Sequence, residues 1–274
     1  MDPRSRVRQF LARGTADRPP FLAMATEYTA RLAQCTAGEL LADPGLFVRS
    51  FTESVAVLGL EAILIELPAA IVGEDSAGSG CAVLREGLHR LRATLRDRLA
   101  VAVLLPGPLT LSASLGLQAT PDALDDLVMA LITLQEYLGP TDLDALALLE
   151  REALADPDVP LLAGATAAFW NVARYYSLPS LLIAAQGTPR LAETGATAVA
   201  AWSGVTAAEL LAGGAAAAGQ PPPSGQPSPS GQQPPSGPIA LAPLPPGGFY
   251  LSAGEIPVGW PVGAVRSLVR LLPG

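Results

Sequence analysis

Gly248-Phe-Tyr-Leu-Ser-Ala-Gly-Glu-Ile-Pro-Val-Gly-Trp-Pro261 is the stretch that decides how this chain is read. Phe249–Leu251 is a short apolar run of the kind that forms a buried strand. Ser-Ala-Gly then breaks the run, and Glu255 enters a loop punctuated by Pro257, Gly259 and Pro261. A strand that stops abruptly and delivers one carboxylate just before a last helix is a single β/α unit. The rest of the chain repeats that unit.

Working upstream, Thr197–Ala201 reads as a strand ending at Trp202, and Ser180–Ala185 as one ending at Gln186-Gly187. Leu143–Leu149 ends at Glu150, Ala100–Leu105 at Pro106-Gly-Pro, Ala62–Ile65 at Glu66, and Phe21–Met24 is the first. Helical patterns lie between them. Pro3–Ala12 carries Val7, Phe10 and Leu11 at helical spacing, with arginines on the other face and Gly14 as its stop. Thr36-x-x-Glu39 is a capping-box pattern, and Asp43-Pro44 an N-cap followed by proline at the first helical position, opening a helix to Leu58 that Gly59 ends. Gly80–Leu99 reads as a helix whose Arg85, Arg92 and Arg96 form a solvated basic face, with His89 also on the outside. Thr120-Pro121-Asp122 caps a helix to about Leu138. Asp156-Pro157 opens an irregular helical segment to Tyr176, where Tyr175 and Tyr176 are expected to pack against the sheet. Short helices are expected around Pro189–Thr194 and Thr206–Leu211.

Strands of near-continuous apolar character, alternating with helices, mean a parallel sheet covered on both faces. Six strands precede residue 212 and one follows. That pattern predicts an α/β fold, a (β/α)8 TIM-type barrel that is incomplete or distorted around its seventh unit. Residues 1–212 supply the first six β/α units and 238–274 the closing strand and helix, with Ile239–Leu241 as a remnant of the seventh strand. Between them, residues 213–237 carry Gln220-Pro-Pro-Pro-Ser-Gly, Gln226-Pro-Ser-Pro-Ser-Gly and Gln232-Gln-Pro-Pro-Ser-Gly, an approximate six-residue repeat without a buriable side chain. It is expected to be a disordered or extended linker insert, and its Pro-x-x-Pro content offers a protein partner a docking element.

Composition narrows the function classes. The 274 residues are half hydrophobic, enough for one core. All 17 basic residues are arginine, and the net charge is −8. That balance argues against a nucleic-acid binder and provides no basic patch for an anionic membrane. Met1-Asp-Pro-Arg-Ser-Arg is charged at once, so no secretory signal is expected, and the mainly uncharged run Leu99–Leu127 is interrupted by Pro106, Gly107 and Pro108 and by Asp122, Asp125 and Asp126. Cys35 and Cys81 read as ordinary thiols of a reducing cytoplasm.

Three segments together resemble the uroporphyrinogen decarboxylase superfamily, single-domain barrels that include the haem-pathway decarboxylase and zinc-dependent corrinoid methyltransferases. They are the Arg-rich first helix followed by Asp17-Arg18-Pro19-Pro20 and a strand; Leu104-Leu-Pro-Gly-Pro-Leu-Thr-Leu-Ser112, similar to the family's Gly-Pro-x-Thr-Leu-Ala turn; and Leu251-Ser-Ala-Gly-Glu-Ile-Pro257, similar to its closing Gly-Cys-Glu-Ile-Pro. Leu182–Gly187 with Glu193-Thr-Gly-Ala196 also fits. The closing motif is nearer the methyltransferase branch.

The departures are equally informative. Where the resemblance implies substrate-holding arginines after the first strand, Met24 is followed by Ala25-Thr-Glu-Tyr-Thr-Ala-Arg31. Where it implies an Asp after the second strand, the turn reads Ile65-Glu66-Leu67-Pro68, and where the decarboxylases have a closing His, Glu255 stands. The methyltransferase zinc ligands correspond to Ala184, Gln186 and Gly254, so neither zinc nor another cofactor is expected.

On the barrel reading, the strand ends present Glu27, Glu66, Thr110, Glu150, Gln186, Trp202 and Glu255 to one mouth. Carboxylates that face one another suit a general acid or base, and Glu255 and Glu66 are the catalytic candidates because they follow apolar strands directly. Glu27, Thr110, Glu150, Gln186 and Trp202 are the ligand-binding candidates, with Trp202 as a stacking wall. Such a mouth would favour a cationic or neutral small molecule and repel an octacarboxylate porphyrinogen. Three readings follow: a metal-independent small-molecule lyase or transferase; a degenerate barrel kept as a binding or scaffold protein; or a true decarboxylase or methyltransferase with relocated groups.

Overall fold

The computed structural model describes residues 1–13, 20–73, 79–186, 193–196, 198–201, 250–255, 262 and 266. Seven strands form one sheet: β1 Phe21–Met24, β2 Ala62–Glu66, β3 Ala100–Pro106, β4 Ala145–Ala153, β5 Ser180–Gln186, β6 Ala198–Ala201 and β7 Tyr250–Glu255. Their order is β6-β5-β4-β3-β2-β1-β7, and every pairing is parallel. The last strand therefore returns to pair with the first. An open doubly wound sheet reverses its strand order at a switch point; this one does not, and it curls into an incomplete TIM-like barrel. Among the described residues the sheet is not closed between β6 and β7, and the expected seventh-strand remnant, Ile239–Leu241, lies outside them.

Side-chain alternation sorts the strands into two faces. Ile63, Ile65, Val101, Val103, Leu105, Leu146, Leu148 and Leu182 pack outward against the helices. Ala62, Leu64, Ala100, Ala102, Leu104, Ala145, Ala147, Leu149, Leu181 and Ile183 form the inner face with Leu22 and Met24. The inner set is small at the N-terminal ends of the strands, which leaves room for α1 (Pro3–Arg13). Its Val7, Phe10 and Leu11 join the inner cluster and plug that end. Burying each of these contributes about 1.5–3 kcal/mol.

The remaining helices are α2 Thr26–Leu32, α3 Ala37–Ala42, α4 Pro44–Leu58, α5 Ala69–Gly73, α6 Ser79–Leu95, α7 Pro108–Ser114, α8 Pro121–Leu138 and α9 Asp158–Tyr175. The capping box forms at Thr36 and Glu39, Asp43 accepts from the N–H groups of Gly45 and Leu46, and Gly59 ends α4 at φ +74°. The short α2, α5 and α7 lack a long apolar stripe and were not legible as helices. α9 is continuous rather than irregular. Tyr176 packs near Gly139, but Tyr175 is 82% exposed, against the expectation that both pack inward. The helices expected at Pro189–Thr194 and Thr206–Leu211, the stop at Gly14 and the Pro-rich insert fall wholly or largely outside the described residues.

One expected surface is an interior. Arg92 of α6 was placed on a solvated face, yet it is buried and donates to the Asp144 carboxylate. Asp144, 1% exposed, also accepts from Arg4 Nε at 2.7 Å, Arg8 Nε at 2.5 Å and the Val101 N–H at 2.9 Å. Asp142 pairs with Arg4 at 2.7 Å and Arg8 at 3.1 Å, and Arg6 reaches Glu61 at 2.7 Å. Helical periodicity shows which face Arg92 occupies; it cannot show a carboxylate fifty residues away. Burial pulls the Arg92 guanidinium below its ordinary value, while in Arg4 the hydrogen bonds to Asp144 and Asp142 overcome burial and raise it. This network bolts α1 and α6 to the N-terminal ends of β3 and β4. The Cys35 thiol donates to the Ala30 carbonyl, and Cys81 is buried in the core.

Candidate functional site

The C-terminal ends of the strands gather a different set of residues. In β2 the inward positions are Ala62 and Leu64, and the alternation carries on to Glu66. In β4 they are Ala145, Ala147 and Leu149, and the next is Arg151, because β4 runs on past Leu149 to Ala153. Glu66 and Arg151 meet as an ion pair. β2 and β4 are separated by β3, roughly 10 Å apart at ordinary strand spacing, so two side chains reach each other only across the concave face. The pair lies over Leu104 and Pro106 of β3, at the mouth.

Each partner's backbone is held by a threonine from the helix that follows a neighbouring strand. The Glu66 N–H donates to Thr26 Oγ1 at 3.0 Å, and the Arg151 N–H donates to Thr110 Oγ1 at 2.8 Å. Thr26 opens α2 after β1, and Thr110 lies in the first turn of α7 after β3. Both hydroxyls are buried. Two equivalent β/α junctions thus fix the two ends of the ion pair.

Glu150 takes no part in the mouth. It points the other way, into the sheet–helix layer, and is fully buried. Its carboxylate accepts from the N–H groups of Leu109 at 3.2 Å and Thr110 at 2.8 Å and from Thr110 Oγ1 at 2.8 Å. α7 has no side-chain cap of its own, and Glu150 supplies one from β4. Gly107 is required here, because a Cβ at that position would overlap the Glu150 carboxylate. The Gly107-Pro108-Leu109-Thr110 turn is therefore a docking surface for Glu150. Expecting Glu150 and Thr110 to line the mouth is corrected by that geometry: they bind each other beneath it.

The other candidates are spread out. Glu27 is exposed in the first turn of α2. Glu255 is the last residue of β7, in register with Met24 of β1; the strand continues through Ser252-Ala-Gly where a loop was expected. Gln186 ends β5 opposite Ala153. Trp202 lies outside the described residues. The expected convergence of four carboxylates does not form, since Glu150 faces away and Glu66 is paired. Arg151 was missed, although the alternation Ala145, Ala147, Leu149 points to it. His89 is exposed on α6.

The zinc site of the methyltransferase branch does not fit these residues. Ala184 offers no donor atom and is buried against the helix layer, and Gly254 has no side chain. Among the described residues no three His, Cys, Asp or Glu side chains converge to hold a metal ion. No described helix is long and apolar enough to cross a membrane.

No protein-family model matches the sequence, and no curated protein matches it. In structure the chain is similar to a methyltransferase from Methanosarcina mazei, with a TM-score of 0.64 at 15% identity, covering 99% of this chain and 98% of that one. A likeness at that identity is one of fold, and function has to be argued from the site.

Proposed function

We propose that this protein is a divergent member of the uroporphyrinogen decarboxylase superfamily that binds and transforms a small organic molecule at the C-terminal mouth of its barrel. A group transfer or lyase reaction driven by side chains suits it best. The inward-facing Glu66–Arg151 pair carries the reading. Parallel barrels do their chemistry at that end of the strands, and this pair brings ionisable groups together there. A likeness in fold to a methyltransferase is consistent with group transfer. Glu66 is the described carboxylate best placed to move a proton, with Glu255 on the neighbouring side of β1 as the second candidate.

Ala184 and Gly254, where the methyltransferase branch has metal ligands, favour one alternative: a barrel that binds its ligand without turning it over. One screen addresses both. Purified protein is tested by thermal shift against a metabolite library, and each stabilising compound is incubated with enzyme and followed by mass spectrometry. A stabilising compound whose effect falls in Glu66→Gln or Arg151→Met protein supports the mouth, and turnover of that compound separates enzyme from binding protein. Ligand stabilisation that neither substitution alters would overturn the assignment. Uroporphyrinogen belongs in the screen as a compound expected to give no product.

A further inference from the structure

The mouth has a definite charge preference, and it is not the one the acid-rich sequence implied. Arg151 is the accessible partner of the ion pair: its side chain is 52% exposed against 23% for Glu66. The guanidinium gives one Nη2–H to Glu66 Oε1. Its Nε–H and Nη1–H groups have no partner among the described residues, so part of the donor fork is open to a ligand. A planar fork with unused donors is matched by a carboxylate, which takes two parallel N–H bonds. The fork is also pre-positioned, because Thr110 Oγ1 holds the Arg151 N–H and Glu150 in turn fixes Thr110. Glu27 lies in the first turn of α2, which follows β1, and Glu255 is the last residue of β7, which pairs with β1, so two further acidic residues belong to the same end of the sheet as the Arg151 cation. One cation among acids accepts one anionic group and repels a second.

We infer that Arg151 is the ligand anchor of the mouth, and that it takes a small molecule bearing a single carboxylate while Glu66 serves as the counter-ion the ligand displaces. This rests on the assignment of the mouth as the functional site and adds the charge class of its ligand. Thr110 is a positioning residue for the anchor.

Isothermal titration of the full chain with three aromatic probes tests it: benzoate, benzylamine and benzene-1,3,5-tricarboxylate. Benzoate should bind saturably, and the amine and the tricarboxylate should bind at least about tenfold more weakly, the scale of a charged hydrogen-bonded contact. Arg151→Met should weaken benzoate at least about tenfold on the same grounds. Arg151→Lys should recover only part of that loss, and Glu66→Gln should strengthen benzoate binding by removing its competitor. Thr110→Val should weaken benzoate without contacting it, and Thr110→Ser should restore the affinity. Benzoate affinity unchanged in Arg151→Met, no benzoate binding to the wild-type chain, or tighter binding of the tricarboxylate would each overturn the inference. Preferential binding of benzylamine that is lost in Glu66→Gln would also overturn it, and would leave the mouth standing as the site. If neither substitution changed any probe, both assignments would fall.

Discussion

At the N-terminal ends of the strands three arginines from two helices converge on Asp144, while at the C-terminal ends one arginine meets one glutamate. In the first cluster Asp144 and Arg92 are buried and Arg4 nearly so, with Arg8 half exposed at the edge; it is tied into the backbone through the Val101 N–H and built from residues far apart in the chain. The second is half exposed, and among the described residues its guanidinium donors are only partly used. A charge taken out of water has to be fully compensated, and such a cluster is costly to disturb. A charge left at a rim contributes little to stability and stays available. On the function proposed above, the two ends of the sheet do different work, the lower one structural and the upper one binding.

The largest effect expected from this contrast is at the lower end. Asp144→Ala should destabilise the chain by about 3–5 kcal/mol, because it strands buried guanidinium groups; chemical denaturation measures it, and a loss below about 1 kcal/mol, the range of exposed pairs, would erase the distinction. Next comes the brace beneath the mouth. Gly107→Ala should push the Glu150 carboxylate off the first N–H groups of α7, at a cost of about 1–3 kcal/mol for the unpaired polar groups. It should also weaken ligand binding through Thr110. An unchanged midpoint of unfolding would mean that Glu150 can re-seat.

The acid response is smaller and has a defined sign. Burial alone would raise the Asp142 pKa, but the hydrogen bond from Arg4 and the charges of Arg4, Arg8 and Arg92 outweigh it and hold it below the ordinary range. A folded-state value below the unfolded one gives stability that is complete above about pH 4, the unfolded Asp value, and is lost as the pH falls through the folded value. Melting temperatures across acid pH should therefore fall less steeply in Asp142→Asn than in the wild type, and the two should differ most above pH 4. Parallel curves would contradict the linkage. The smallest stability effect belongs to the mouth: Arg151→Met should shift unfolding by less than about 1 kcal/mol, as for exposed ion pairs. A larger loss would make the pair a structural bolt like the one below it.

The sequence carried the strands well because each is a continuous apolar run, and the β4 and β7 runs were cut short only where polar residues begin. That cut mattered. Stopping β4 at Leu149 made Glu150 the first residue of a loop, when it is one more strand residue facing the helices and Arg151 is the one that faces the mouth. Counting the alternation two residues further would have exchanged them. The Gly107-Pro108-Leu109-Thr110 turn was legible as a motif, but its cause, the room it leaves for Glu150, depends on a contact forty residues away. Arg92 shows the same limit: periodicity assigns a helix face, and only the tertiary partner decides whether that face is solvent. The strand expected at Phe249–Leu251 is found at Tyr250–Glu255, where it pairs in parallel with β1.

The division between the two ends can be tested at three atoms. The chain has three methionines, Met1 beside α1, Met24 on the inner face one layer below Glu66, and Met129 exposed on α8. In protein labelled with ¹³C at the methionine methyls, benzoate titration should shift the Met24 resonance through the ring current and leave Met1 and Met129 in place. The Met24 shift should vanish in Arg151→Gln protein that melts at the wild-type temperature. Benzoate shifting Met1 or Met129 while Met24 stays fixed, or a Met24 response that survives the loss of Arg151, would contradict the account.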